Sequence, residues 1–525
     1  MTAKTRYDYL SGERTQFLDE AEKAAELTLP YLIRGHEDFN KGMRHLPTPW
    51  QSVGAKCSVT LAAKLMQSLL PVQTSFFKLQ VDESQLGQEF GPQVKSELDL
   101  SFAKIERTIL EAIAASNDRV VVHEALLHLV VAGNALIFMG KDGLKVYPLN
   151  RYVIERDGNG NVIEIVTKET IAKKLIIDQL PEDVLKEYDT VVDSSDDKAD
   201  ECDIYTHITR DNNRYVWHQE VHGKILPKSY GKAPVDITPW IPLRFNTVDG
   251  EDYGRGRVGQ FIGDLKSLEA LSQALVEGSA AAAKVVFTVS PSSTTKPSTL
   301  ANAGNGAIVQ GRPDDIGVVQ VGKSADFGTA FQMMQQLEKR LNEAFLVMQV
   351  RQSERTTAEE VRLTQMELEQ QLGGLFSLLT TEFLLPYLNR ILNQFQKTGK
   401  IPRLPKDIVK PTIVAGVNAL GRGQDRESLG QFLTVISQTM GPEAVQQFIN
   451  PEEVIKRLAA SQGIDVLNLV KSMQEIQSKE QQAQQMAMQQ QQGEQQIAMM
   501  KTPMMDPSKN PALAAQMQPP PPETE

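Results

Sequence analysis

Two stretches decide how this chain is read: RVGQFIGDLKSLEALSQALVEGSAAAAK at 257–284 and ADFGTAFQMMQQLEKRLNEAFLVM at 325–348. In the first, Val258, Phe261, Ile262, Leu265, Leu268, Leu271 and Leu275 recur at the period of an amphipathic helix. In the second, Phe327, Phe331, Met334, Leu337, Leu341, Phe345 and Met348 do the same. A helix of about twenty residues is ~30 Å long. In a compact domain two such helices would meet at a short turn. Here about forty residues lie between them, with strand-like pieces at Val285–Val289, Ala307–Gln310 and Gly317–Val321 around a Ser/Thr/Pro-rich linker. The pair reads as the legs of a stalk with a small β insertion. So narrow a stalk would bury Phe261, Leu265, Leu268, Leu271, Met334, Leu337, Leu341 and Phe345 best against copies of itself. Each fully buried Leu or Phe contributes roughly 1.5–3 kcal/mol, so self-association would be strong.

Outside this core the chain is long and acidic. Its 525 residues allow three or four domains. With 41% apolar and 23% charged residues it holds a sizeable core and is not disordered in bulk. A net charge of −11 argues against a surface built to grip nucleic acid. Cys57 and Cys202 are too few and too far apart for a disulfide framework or a thiolate metal cage, which suits a reducing compartment. The start, MTAKTRYDYLSGERTQF, has no apolar signal-peptide core. The most apolar stretch, Ala125 to Met139, falls short of the ~20 residues of a membrane span, and His128 and Asn134 interrupt it.

Toward the N-terminus the periodicity predicts helices at Glu13–Leu29, from Thr48-Pro49-Trp50 to Pro71, at about Gln93–Ala115, and at Val122–Leu136. The middle changes period. Leu144–Tyr152 and Val162–Thr167 flank the turn Arg156-Asp157-Gly158-Asn159-Gly160, and further strands are expected at Cys202–Thr209, Arg214–Val221 and Trp240–Phe245. The acidic stretch Asp193–Asp203 reads as a solvated loop. Toward the C-terminus Thr357 and Glu360 form a capping box for a long helix to Gln396. Gly373-Gly374 and Pro386 should bend that helix. A helical region at about Asp425–Ser472 leads to a tail with twelve glutamines between Gln474 and Gln496, and Pro519–Pro522 reads as disordered. The fold class is α+β, mainly helical.

Three motifs imitate chemistry. His218-Gln-Glu-Val-His222 resembles a zinc-protease signature, but its glutamate is one place late and the segment reads as strand. Asp157, Asn159 and Asn161 imitate a calcium loop, with Val162 where glycine is required and Lys168 where the bidentate glutamate belongs. Gly254-Arg-Gly-Arg-Val-Gly259 matches a dinucleotide fingerprint, yet a polar turn separates it from the preceding strand and no second βαβ unit follows. Tight packing at a helix start is the better reading of these glycines. No phosphate-binding loop with a following Lys-Ser/Thr pair is present, and no catalytic set, metal site or cofactor is expected.

Five stretches in order carry a family resemblance. They are TPWQSVGAKC with LAAKLMQSLLPVQT at 48–74, LVVAGNAL at 129–136, DGEDYGRGRVGQFIGDLKSLEAL at 249–271, TAEEVR with ELEQQLGG at 357–374, and GRGQD at 421–425. With them the chain resembles the portal, or head-to-tail connector, proteins of short-tailed, podovirus-type bacteriophages. The resemblance implies a ring, usually of twelve subunits, at one capsid vertex, through which double-stranded DNA enters and leaves. It implies a wing at 1–256, stem helices at 257–283 and 326–349, and a clip at 284–325. A tunnel loop at 350–356, a kinked helix with the rest of the wing at 357–424, a helical crown at 425–500 and a disordered tail at 501–525 complete the plan. The tunnel loop places Arg351, Gln352 and Arg355 at the channel. Implied partners are further copies of the chain, the major capsid protein and scaffold, the terminase motor, tail adaptors, internal core proteins and the passing DNA. Twelve copies at −11 each would give a ring near −132, a wall that repels phosphates and lets DNA slide. Two other readings are a virion scaffold or tail adaptor, which would not need the β insertion, and a nucleotide-binding enzyme resting on Gly254–Gly259 alone.

Overall fold

The computed structural model describes residues 2–33, 46–71, 75–81, 92–141, 143–172, 201–282, 286–293, 296–304, 316–319, 324–347, 372–403, 409–413 and 432–439, with single positions between some of them. The chain divides into two units, Met1–Ala419 and Leu420–Glu525.

Four helices open the first unit: α1 (Ala3–Glu26), α2 (Val53–Leu69), α3 (Pro92–Ala115) and α4 (Asp118–Ala132). The Thr2 side chain accepts from Thr5 N at the start of α1, ahead of the predicted Glu13. Ser52, not Thr48, precedes the first turn of α2. α4 is the centre of the unit, with Leu126, Leu129 and Val130 buried in the core that α1, α2 and α3 share.

The helix predicted over Val122–Leu136 stops at Ala132. Gly133 takes the left-handed conformation, φ 77°, that ends helices, and Asn134 starts a strand, β2 (Asn134–Met139). Ala135, Leu136 and Ile137 are all fully buried, so this strand is covered on both faces. Such a run has no alternation to tell it from a buried helix. β2 is the middle strand of an antiparallel sheet between β3 (Leu144–Tyr147) and β10 (Trp240–Arg244).

Pro148 and a 3-10 turn, Leu149–Arg151, break the single strand expected over Leu144–Tyr152. The chain then enters a second antiparallel sheet: β4 (Tyr152–Arg156), β5 (Val162–Ala172), β6 (Glu201–Asp211), β7 (Arg214–Val221) and β8 (Lys224–Ile225), with β9 (Gly231–Pro234) also paired to β7. Between β4 and β5 the Asp157 carboxylate accepts from the backbone N–H of Asn159 at 2.9 Å and of Asn161 at 2.8 Å. This is a hairpin turn stabilised by its own Asp, not an ion loop. Residues 201–203, the end of the acidic stretch read as loop, belong to β6. α1 lies on the sheet: Arg6 donates to Glu164 at 2.7 Å, and Tyr7 and Arg14 donate to the carbonyls of Asn150 and Leu149 at 3.1 Å.

The chain continues through a single turn, α5 (Arg257–Gln260), into α6 (Ile262–Ala282), β11 (Val286–Val289), α7 (Pro297–Ala301), β12 (Ile316–Val319) and α8 (Ser324–Ala344). β11 and β12 pair as a two-stranded antiparallel ribbon. Ile308 and Gln310, within a predicted strand, lie in irregular backbone, and α7 stands inside the predicted loop with Pro297 in its first turn. Helical residues 372–379 lead into a π-helical turn, Thr380–Leu384, and α9 (Leu385–Lys397). Pro386 has no N–H for the Glu382 carbonyl, and the turn widens there. Gly373 and Gly374 stay in regular helix. β1 (Phe77–Val81) and β13 (Val409–Ile413) form a small antiparallel sheet from opposite ends of the unit. Residues 432–439 of the second unit are helical, with Phe432 and Val435 exposed. No helix among the described residues is long and apolar enough to cross a membrane.

Candidate functional site: a two-helix leg and its anchors

α6 and α8 run antiparallel in close contact. Phe261 and Phe345 rings lie 5.6 Å apart, Ser272 Oγ donates to Met334 Sδ at 3.7 Å, and Arg340 pairs with Asp264 at 3.1 Å. Gly278 leaves room where Phe327 crosses: a Cβ there would lie 2.6 Å from Phe327 Cε1, so the ring would have to move. Leu265, Leu268, Leu337, Leu341 and Phe345 are buried, and Phe261, Leu271 and Met334 are partly buried against the same core. Within one chain the inner part of the apolar stripe is thus covered, while Phe261, Leu271 and Met334 keep partial exposure and Phe331 is 48% exposed. Part of the cover comes from α2, which the sequence did not place here. It packs along the base of the leg, and Cys57 Sγ lies 3.9 Å from Asn342 Oδ1.

Four further anchors fix the base. Arg257 donates to the Ala344 carbonyl at 2.9 Å, so a half-buried guanidinium sits on the C-terminus of α8, where the helix dipole favours a cation. Burial pushes the pKa of Arg257 down. Lys64 donates to the carbonyl of Leu346, and Trp50 N–H donates to Glu269 on α6 at 2.8 Å. The last anchor is the glycine segment. Asn134 Nδ2 donates to the Gly254 carbonyl at 2.7 Å while Gly254 N–H donates to Asn134 Oδ1 at 2.7 Å. A Cβ on Gly256 would meet Val131 O at 2.6 Å. The segment passes against the end of α4 at backbone contact, which only glycine allows.

A charged cluster ties sheet to helix elsewhere in the unit. Arg244 donates from N, Nε and Nη2 to Glu382 in the π-turn, at 3.0, 2.9 and 2.7 Å. Arg156 lies 4.0 Å from the same carboxylate, and its Nη1 donates to the Gly160 carbonyl at 2.9 Å. Burial lowers the pKa of Arg156, which Glu382 opposes. Beside the cluster opens a cavity of about 330 Å³, walled by Tyr215, Trp240, Pro242 and Pro386.

The architecture has relatives. The family of bacteriophage head to tail connecting proteins matches residues 1–469. The chain belongs to that family. The portal protein of Escherichia phage T7 is 37% identical over 489 residues, 91% of this chain and 89% of its own length. The portal protein of Enterobacteria phage SP6 is 30% identical over 497 residues, 91% of this chain and 92% of its own. Among solved structures, the neck of an empty GTA particle aligns over 79% of this chain and 90% of its own at 12% identity, with a TM-score of 0.38.

In this connector protein the sequence-predicted residues fall into two groups. The eight stripe residues come together in the leg. Arg351, Gln352 and Arg355, with Thr357 and Glu360, lie outside the described residues. The imitative motifs have structural roles. His218 lies on β7 with Nε2 3.0 Å from Glu220, whereas His222 turns away beyond the strand at φ 48°. No group of three or more His, Cys, Asp or Glu among the described residues could hold a metal. Gly254 and Gly256 make the close approach just described, while a Cβ on Gly259 would meet nothing within 4 Å. Sequence reasoning missed Arg257, Glu269 and the Arg244–Glu382 pair. Asn134 had left a signal, as a polar interruption in an otherwise apolar run.

Proposed function

We propose that copies of this chain close into a ring at one capsid vertex, through which the genome is packaged and later released. What supports this most is the antiparallel leg joined through the β11–β12 ribbon, in a chain of the connector family. In this reading residues 1–256 form the wing, α6 and α8 the stem, 284–325 the clip toward the packaging motor and tail, and 350–356 the tunnel loop. Residues 425–500 form the crown toward the capsid interior and its core proteins. The role is structural rather than catalytic. The twelvefold ring would carry a charge near −132, so the duplex slides past a repelling wall. Arg351 and Arg355 would add a belt of weak, salt-sensitive phosphate contacts that slow backsliding. The test is genetic complementation. Without this chain, infected cells should yield heads that hold no genome, and the chain supplied in trans should restore filled particles. Filled heads in its absence would refute the proposal.

A further inference from the structure

The cavity beside the Arg244–Glu382 pair has no part in the structural role just proposed. It holds about 330 Å³ and follows β10 from Thr238 to Arg244. Space of that order suits a small organic molecule. Most of its lining is apolar, with Ile165, Ile208, Tyr215, Trp240, Pro242 and Leu378 among the walls. The polar groups gather at the Arg244 end, where Arg156, Asn159, Thr381 and Glu382 meet. An added strand could not fill this space, because β10 has no backbone donor left on its outer edge. Trp240 N–H donates to Thr238 Oγ1 at 3.3 Å, Pro242 has no N–H, and Arg244 N–H is held by Glu382.

At the polar end donors outnumber acceptors. Glu382 already accepts three bonds from Arg244. Arg156 gives its side-chain donors to the carbonyls of Asp252, Gly160 and Pro242. Arg244 Nη1 has no acceptor among the described residues, although Arg244 is only 8% exposed and walls the cavity. The side-chain amide of Asn159, on the exposed turn at the rim, makes no hydrogen bond among them either. Two guanidinium groups thus face one carboxylate in the wall. The Asp252 carboxylate takes the backbone N–H of Arg156 and is not part of the lining. A nearly buried guanidinium N–H without an acceptor is costly, and an anionic oxygen is its strongest partner. We propose that this cavity binds a small amphipathic anion, its carboxylate on Arg244 Nη1 and Asn159 and its alkyl body along Trp240 toward Thr238.

The test is isothermal titration calorimetry of the purified full chain at neutral pH with three probes that share one alkyl body. Octanoate should bind saturably, one molecule per chain. Octanamide, which keeps an acceptor but loses the charge, should bind at least about tenfold more weakly, and octylammonium more weakly still. No saturable octanoate binding, or octanamide or octylammonium binding as tightly, would overturn the proposal. Two variants locate the ligand. Leu378→Trp fills the cavity from half-buried helical backbone and should abolish binding of octanoate. Asn159→Asp sets a carboxylate at the rim on an exposed turn, so it should weaken octanoate at least about tenfold and leave octanamide unchanged. Far-UV circular dichroism and the melting midpoint of Asn159→Asp should match wild type. Unchanged octanoate affinity in this folded variant would place the ligand elsewhere and refute the assignment.

Discussion

Glu382 holds two arginines, and removing it should cost the fold more than any exposed ion pair could. Its side chain is 13% exposed, those of Arg244 and Arg156 10% and 5%. Three of Arg244's donors, its backbone N–H included, end on this carboxylate. Glu382→Ala leaves both guanidinium groups buried without the acceptor that balances them. Truncating one member of a buried pair costs about 3–5 kcal/mol, because the remaining charge is stranded. A shape-filling double replacement, Glu382→Leu with Arg244→Met, should recover more than half of that loss, since a buried ion pair contributes little over well-packed apolar groups. The assay is urea denaturation of the unassembled chain, followed by the intrinsic fluorescence of Trp50, Trp217 and Trp240, the last of which lies beside the cluster. A loss below about 1 kcal/mol for Glu382→Ala would place the pair in the class of surface bridges and refute the argument.

His128 is buried on α4 and its Nδ1 has no hydrogen-bond partner among the described residues; burial pushes its pKa down from 6.5 to about 4. The folded state therefore binds fewer protons than the unfolded one, so this contribution is complete above pH 6.5 and is lost as pH falls toward 4. Wild type should lose roughly 3 kcal/mol more than His128→Leu across that window in denaturation at stepped pH; parallel curves would contradict it. Gly256→Ala should destabilise by ~1–3 kcal/mol or more through its clash with the Val131 carbonyl, whereas Gly259→Ala should be neutral or gain up to ~1 kcal/mol; thermal melts decide. Equal losses at both positions would revive a ligand-cradling role for the glycines. Arg351→Ala/Arg355→Ala should assemble normally yet retain less DNA, with the gap to wild type closing at high salt; a full genome at low salt would remove these arginines from the channel contact.

Periodicity made the leg legible before any coordinates: both helices, the intervening ribbon and the stripe follow from apolar residues at helical spacing. What it could not convey was the stripe's destination. Leu341 and Phe345 look the same in sequence whether a neighbouring copy or the chain's own core covers them, because burial is a long-range property. Charging Leu337 would accordingly unfold the leg and not merely part the subunits. β2 was hidden for a related reason, since Ala135–Ile137 are covered on both faces and show no alternation. The pairing of β1 with β13 joins two short strands from opposite ends of the unit, one with Pro411 in it, and nothing local announces it. The glycine segment was read correctly in kind, as close packing, but Asn134 as its clamp emerged only from the fold.

The ring is the central claim, and the mass of the purified particle under native conditions tests it most directly. The account predicts a single assembly at an integer multiple of the 58.3 kDa chain, about twelve times that mass for the ring that the family resemblance implies. A particle that stays at 58.3 kDa at every concentration would contradict it.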